Sequence, residues 1–187
     1  MYVPHARISR RILNFWAKIT KTQKGYKMSY DYNANDILEM AIQIEKNGAA
    51  FYRNAAESIS DTTHKQLLLD LASMEDQHEK TFAEMKAVLS EEEIKSTAFD
   101  PDEEAGLYLK ALADTRVFFE KESPGPSASM KEILKEAILA EKDSIVFYLG
   151  MKEFVPEKFG KNRIEQIIKE EMGHIKLLSN HLTSLKQ

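Results

Sequence analysis

The chain has 187 residues, no cysteine, 43% hydrophobic and 30% charged residues, and a formal net charge of −4. Without cysteine there is no disulfide framework, no thiolate-bound zinc or iron–sulfur cluster, and no thiol nucleophile. Seven glycines and five prolines favour helices over a multi-turn β fold, and no run of about 18 apolar residues is present to span a bilayer.

The charge is uneven. Residues 1–27 carry Arg7, Arg10, Arg11, Lys18, Lys21, Lys24 and Lys27 with no acid, which leaves −11 on the remaining 160 residues. Ile8, Ile12, Phe15, Trp16 and Ile19 would share one face if this stretch were helical, the pattern of a membrane-surface or targeting segment. No continuous apolar core follows the cations, so the favoured reading is a weakly ordered basic extension ahead of a start at Met28. Residues 1–30 are therefore set apart from a body at 31–187. Membrane contact by residues 1–27 is the less favoured alternative, and the acidic body argues against a nucleic-acid partner. The expected location is the cytoplasm.

From residue 36 onward the spacing predicts four long helices, at 36–59, 63–89, 130–154 and 162–185. Asp36 with Glu39, Ser129 with Glu132, and Asn162 with Glu165 each read as an N-cap followed by its capping-box acid. Short turns near Ser60-Asp61 and Pro156 make two antiparallel hairpins. The long link between them contains an acidic run (Glu91, Glu92, Glu93), a short helix at about 102–121 and a break at Ser123-Pro124-Gly125-Pro126-Ser127. A connection of that length lets the second and third long helices run in the same direction. The fold class is all-α, a four-helix bundle.

The two hairpins repeat each other. Shifting residues 37–52 by 96 lays ILEMAIQIEKNGAAFY on ILKEAILAEKDSIVFY with eight of sixteen positions identical. The same shift carries Leu71 to Ile167, Glu75 to Glu171, His78 to His174 and Leu89 to Leu185. In each helix a glutamate interrupts the apolar stripe: Glu45 in the first, Glu75 in the second, Glu141 in the third, Glu171 in the fourth. The second and fourth add His78 and His174 one turn later. Glu45 and Glu75 lie equally far from residue 60, and Glu141 and Glu171 equally far from residue 156. At helical rise, each pair stands roughly 22 Å from its turn. The repeat suggests that the two levels meet, and four glutamates and two histidines would then converge.

Four buried carboxylates need a counter-charge. Two divalent cations supply it, and oxygen with imidazole donors suits iron or manganese. One glutamate from each of two helices and Glu-x-x-His from each of the other two is the donor set of di-iron and di-manganese bundles. Tyr52 and Tyr148, two turns beyond Glu45 and Glu141, are read first as core residues and second as hydrogen-bond partners of a ligand. His181 reads as a bundle-end residue, and His5, His64, Glu136 and Glu170 as solvated groups.

The segments AIQIEKNGAAFY, LASMEDQHEKTF, AILAEKDSIVFY and IIKEEMGHIKLL resemble the ligand helices of rubrerythrin-type members of the ferritin-like superfamily, over about residues 36–185. The resemblance implies an up-down-down-up bundle with a carboxylate-bridged di-iron centre that reacts with peroxide or oxygen. It implies metal ligation by Glu45, Glu75, His78, Glu141, Glu171 and His174, with two of the glutamates bridging. Two features depart from the family. There is no cysteine-based rubredoxin module, so electrons must come from an external donor, rubredoxin-like or a flavoprotein. The extra glutamate that rubrerythrins place one turn after the third-helix ligand is Ser144 here, and its repeat mate is Gly48. The function expected is a peroxide- or oxygen-reducing, Fe(II)-oxidising oxidoreductase holding two Fe ions, with Mn as the substitute, in a homodimer. Alternatives are a non-catalytic iron-storage protein, a di-iron hydroxylase of an organic substrate, and a metal-free helical interaction module.

Overall fold

The computed structural model describes residues 33–91, 128–155 and 157–185. The basic extension, the predicted helix at 102–121, the break at 123–127 and Pro156 lie outside them. The described residues form four long helices: α1 (Ala34–Ser58), α2 (Thr62–Ala87), α3 (Met130–Phe154) and α4 (Lys161–Ser184).

Each start has a local cause, and two differ from the expected one. Asn33, not Asp36, caps α1: its side chain accepts from Asp36 N at 3.0 Å, and the Asp36 carboxylate accepts from Asn33 N at 3.3 Å. Asp36 is therefore the acid of the capping box and not its cap, because Asn33 stands three residues ahead of it. Asp61 caps α2 by accepting from His64 N at 2.8 Å. Ser129 and Glu132 form the expected box at α3. Asn162 does not cap α4. A 3-10 turn at Glu157–Phe159 leads into Gly160 at φ 97°, and the helix begins at once behind it without a side-chain cap. That left-handed backbone angle suits glycine, which has no Cβ to clash.

The cross-helix contacts give the directions. Lys46 pairs with Glu79 at 3.5 Å, Arg53 with Asp76, and Lys86 with Glu39, so α1 and α2 run antiparallel. Tyr52 bonds Glu141 while Tyr148 bonds Glu45, so α1 and α3 also oppose each other. His78 meets Glu170 and His174 meets Met74, which sets α2 against α4 in the same way. The order is up-down-down-up, with α2 and α3 sharing a direction as the long link requires.

Two apolar layers fill the bundle. One holds Leu38, Phe82, Met151 and Ile164, and the other Leu68, Leu71, Leu134 and Leu178, all essentially without exposure. Burying each such side chain contributes about 1.5–3 kcal/mol. Along α1, α2 and α3 the switch from one layer to the other falls at the glutamate of the stripe, and along α4 it falls just past Ile175. The polar residues are thus a single stratum between two greasy ones.

Candidate metal centre

The six side chains singled out by the repeat come together in that stratum. Glu45, Glu75, His78, Glu141, Glu171 and His174 have relative exposures of 1, 4, 4, 4, 1 and 5%, and they are the buried polar and charged residues of the described chain. They divide into two overlapping groups, Glu45–Glu75–His78–Glu171 and Glu75–Glu141–Glu171–His174. In each group the ligand-type atoms lie within 4.8 Å of one another.

Glu75 and Glu171 belong to both groups. Glu171 turns Oε1 to His78 Nδ1 at 3.0 Å and Oε2 to His174 Nδ1 at 2.8 Å. Glu75 turns Oε2 to His78 Nδ1 at 3.7 Å and Oε1 to His174 Nδ1 at 3.5 Å. Glu45 and Glu141 each serve one half, 3.6 Å from the Nδ1 of His78 and of His174 respectively. Both rings therefore present Nδ1 inward and Nε2 outward, stacked with centroids 5.7 Å apart.

These approaches are charge contacts that lack hydrogen-bond geometry. Glu75 Oε1, both oxygens of Glu171 and the Nδ1 atoms of His78 and His174 are buried without a hydrogen-bond partner. Leaving one such atom unsatisfied costs roughly 1–3 kcal/mol, so five at one place call for a shared occupant. Carboxylate oxygens and imidazole nitrogens aimed at common points are the donor set of divalent cations. The residues fit a pair of them.

Electrostatics in the metal-free chain agree. Burial pushes the Glu45 and Glu141 carboxyls well above the usual carboxylate range, and the neighbouring carboxylates add to it. Burial also raises Glu75 and Glu171, but for Glu75 the bond to Glu45 and the imidazoles, and for Glu171 the two imidazoles, outweigh it and leave both lowered. Burial lowers His78 and His174, yet three carboxylates around each ring win. His78 is raised strongly, and His174 is pushed up to about 12. These shifts favour two ionised carboxylates facing two imidazoliums.

The tyrosines do more than fill the core. Tyr52 donates its hydroxyl to Glu141 Oε1 and Tyr148 donates to Glu45 Oε1, each reaching across to the other repeat. Burial, then the charge of the carboxylates, pushes both phenols up, so each keeps its proton. Each glutamate so held belongs to one group only, Glu45 to the first and Glu141 to the second.

Gly48 also has a role here. A Cβ on it would lie 3.3 Å from Glu75 Cγ, so the missing side chain gives the shared carboxylate its place. Its mate Ser144 is half-buried and donates to Ala140 O at 3.2 Å, one turn back on its own helix. Among the other candidates, His181 is half-buried with its ring edge-on to His64 at 6.4 Å. His64 Nδ1 lies 3.3 Å from Asp61 Oδ1. His5 lies outside the described residues, and Glu136 is half-buried and in neither group. Glu170 is not simply solvated: its Oε2 lies 2.8 Å from His78 Nε2. The signal was its spacing, one turn before His174, where a side chain can reach the facing helix.

A bundle whose four helices each insert a glutamate, two of them with Glu-x-x-His, is a ferritin-like protein of the di-metal carboxylate class. The rubrerythrin family profile matches residues 36–124. A solved Thermotoga maritima chain, described as a ferritin-like diiron-carboxylate protein, aligns with 28% identity and a TM-score of 0.59. The alignment covers 81% of this chain and 95% of that one. A search of curated proteins gave no match. The chain has the ferritin-like fold, and residues 36–124 are similar to the rubrerythrin family. No described helix is long and apolar enough to cross a membrane.

Proposed function

We propose that the chain is a di-iron oxidoreductase that reduces peroxide or oxygen with electrons from an external donor and oxidises Fe(II). The observation that carries this reading is the set of five buried donor atoms, none of them hydrogen-bonded, shared between two overlapping groups. Glu45, Glu75, His78 Nδ1 and Glu171 would hold one iron, and Glu75, Glu141, Glu171 and His174 Nδ1 the other, with manganese as the substitute. A ferrous pair supplies two electrons, which is what reduction of peroxide to two waters consumes.

The chain's own residues set the conditions for that chemistry. Glu75 and Glu171 face both positions at once and so fix their separation. Glu45 and Glu141 close the two ends, each held by a tyrosine hydroxyl that stays protonated beside it. Phe82 and Leu68, each without exposure, stand in the apolar layers above and below and keep bulk water from the stratum. These 187 residues hold no cysteine, so the electrons come from outside them, from a rubredoxin-like protein or a flavoprotein. A homodimer in the cytoplasm is the assembly and location that go with this reading.

The test is anaerobic reconstitution with Fe(II), a metal count, and stopped-flow mixing with peroxide or with oxygen. Two irons per chain and faster oxidation by peroxide are expected. Oxygen reacting faster than peroxide contradicts the peroxidase reading in favour of a ferroxidase or a hydroxylase.

A further inference from the structure

The two halves of the stratum match residue for residue at an offset of 96, down to the crossed tyrosine bonds. Gly48 and Ser144 break the match beside the carboxylates, and a second break falls at the outward face of the two rings. The outward nitrogen of His78 meets Glu170 Oε2 at 2.8 Å, whereas the outward nitrogen of His174 meets Met74 Sδ at 3.2 Å. Positions 74 and 170 are themselves 96 apart, so the same site in the two repeats holds a thioether once and a carboxylate once. Gln166 Nε2 donates to Glu170 Oε1 at 2.8 Å, which steadies that carboxylate with Oε2 turned to the ring.

We propose that Glu170 is a positioning residue that makes the two metal positions unequal. By accepting the Nε2 proton of His78 it locks the tautomer and aim of that ring, so the Glu45–His78 half takes the first divalent metal and the Glu141–His174 half the second. The inference rests on the di-metal reading and adds an order of filling to it. A ligating imidazole whose other N–H is held by a carboxylate is a fixed and more basic donor, and removing such a partner typically lowers metal affinity about 10–100-fold. A thioether is a weak acceptor and gives His174 little of this. Glu170 and Met74 are both partly exposed, so exchanging them leaves the apolar layers untouched.

The tyrosines make the order readable. Tyr148 is bonded to the end carboxylate of the first half and Tyr52 to that of the second. The chain is labelled with 3-fluorotyrosine, the two resonances are assigned with Tyr52→Phe and Tyr148→Phe, and diamagnetic Zn(II) is titrated in while the fluorine spectrum is recorded. The Tyr148 signal is expected to make its larger shift with the first equivalent and the Tyr52 signal with the second. Glu170→Met should weaken the first step about 10–100-fold and merge the two. Glu170→Gln keeps an acceptor and should preserve the order, and the exchange of Glu170→Met with Met74→Glu should reverse it. Parallel shifts of the two signals in the unaltered chain, or an order that survives Glu170→Met, overturn the proposal. A chain that never takes up two Zn(II) overturns the di-metal reading itself, which separates the two failures.

Discussion

Metal uptake by this chain should release protons, and the number follows from the stratum's charge. In the metal-free chain burial favours the protonated form of Glu45 and Glu141, the imidazoles favour the ionised form of Glu75 and Glu171, and the carboxylates favour a proton on each ring. Two divalent cations require four ionised carboxylates and two neutral rings. Neutrality is kept on both sides only if four protons leave as the two metals enter. The overall two-metal binding constant should then rise about 10⁴-fold per pH unit while all four groups are protonated. The assay is a pH-stat titration of Mn(II) into weakly buffered protein near pH 6.5, read as base consumed per metal bound. About four protons per pair is the expected result. Fewer than two would refute the reasoning, because the histidines alone account for two.

Three other outcomes are expected. In the metal-free chain the raised histidine pKa values stabilise the fold fully below about pH 6.5, and that stabilisation is lost as pH rises toward their folded values, by up to about 1.4 kcal/mol per unit for each ring. Raised Glu45 and Glu141 act in the same sense, so thermal melting without metal should fall between pH 6.5 and 9, while melting with saturating Mn(II) should not; a metal-free melting point that rises over that range contradicts the charge assignment. Tyr148→Phe leaves the buried Glu45 oxygen without its donor, and denaturant unfolding of the metal-free chain should show a loss of about 1–3 kcal/mol with no change of shape. Phe82→Ala empties a fully buried ring site in one apolar layer and should lower stability by about 3–5 kcal/mol, measured the same way, while the metal count stays at two.

The parts of the fold that were legible in the sequence are those where one residue's role is set by its own helix. The stripe glutamates stood out because a charge in an apolar row is anomalous, and the offset of 96 tied the four together. α3 runs Met130–Phe154, as its capping box at Ser129 indicated. Asn33 was passed over because Asp36 offers an equally good cap, and only backbone geometry decides between them. Gly160 was missed because a left-handed turn behind a 3-10 segment leaves no side-chain signature beyond the glycine itself. The Glu170–Met74 difference was hidden for another reason. Both lie just outside the buried stripe, and their contacts cross between α2 and α4, so pairing them requires knowing how those helices face each other.

The most direct test of the central claim is anomalous diffraction at the iron edge from crystals of the Fe(II)-reconstituted chain. Two iron peaks are expected, each in contact with Glu75 and Glu171, one also touching Glu45 and His78 Nδ1 and the other Glu141 and His174 Nδ1. A single peak, or iron bound away from this stratum, would contradict the account.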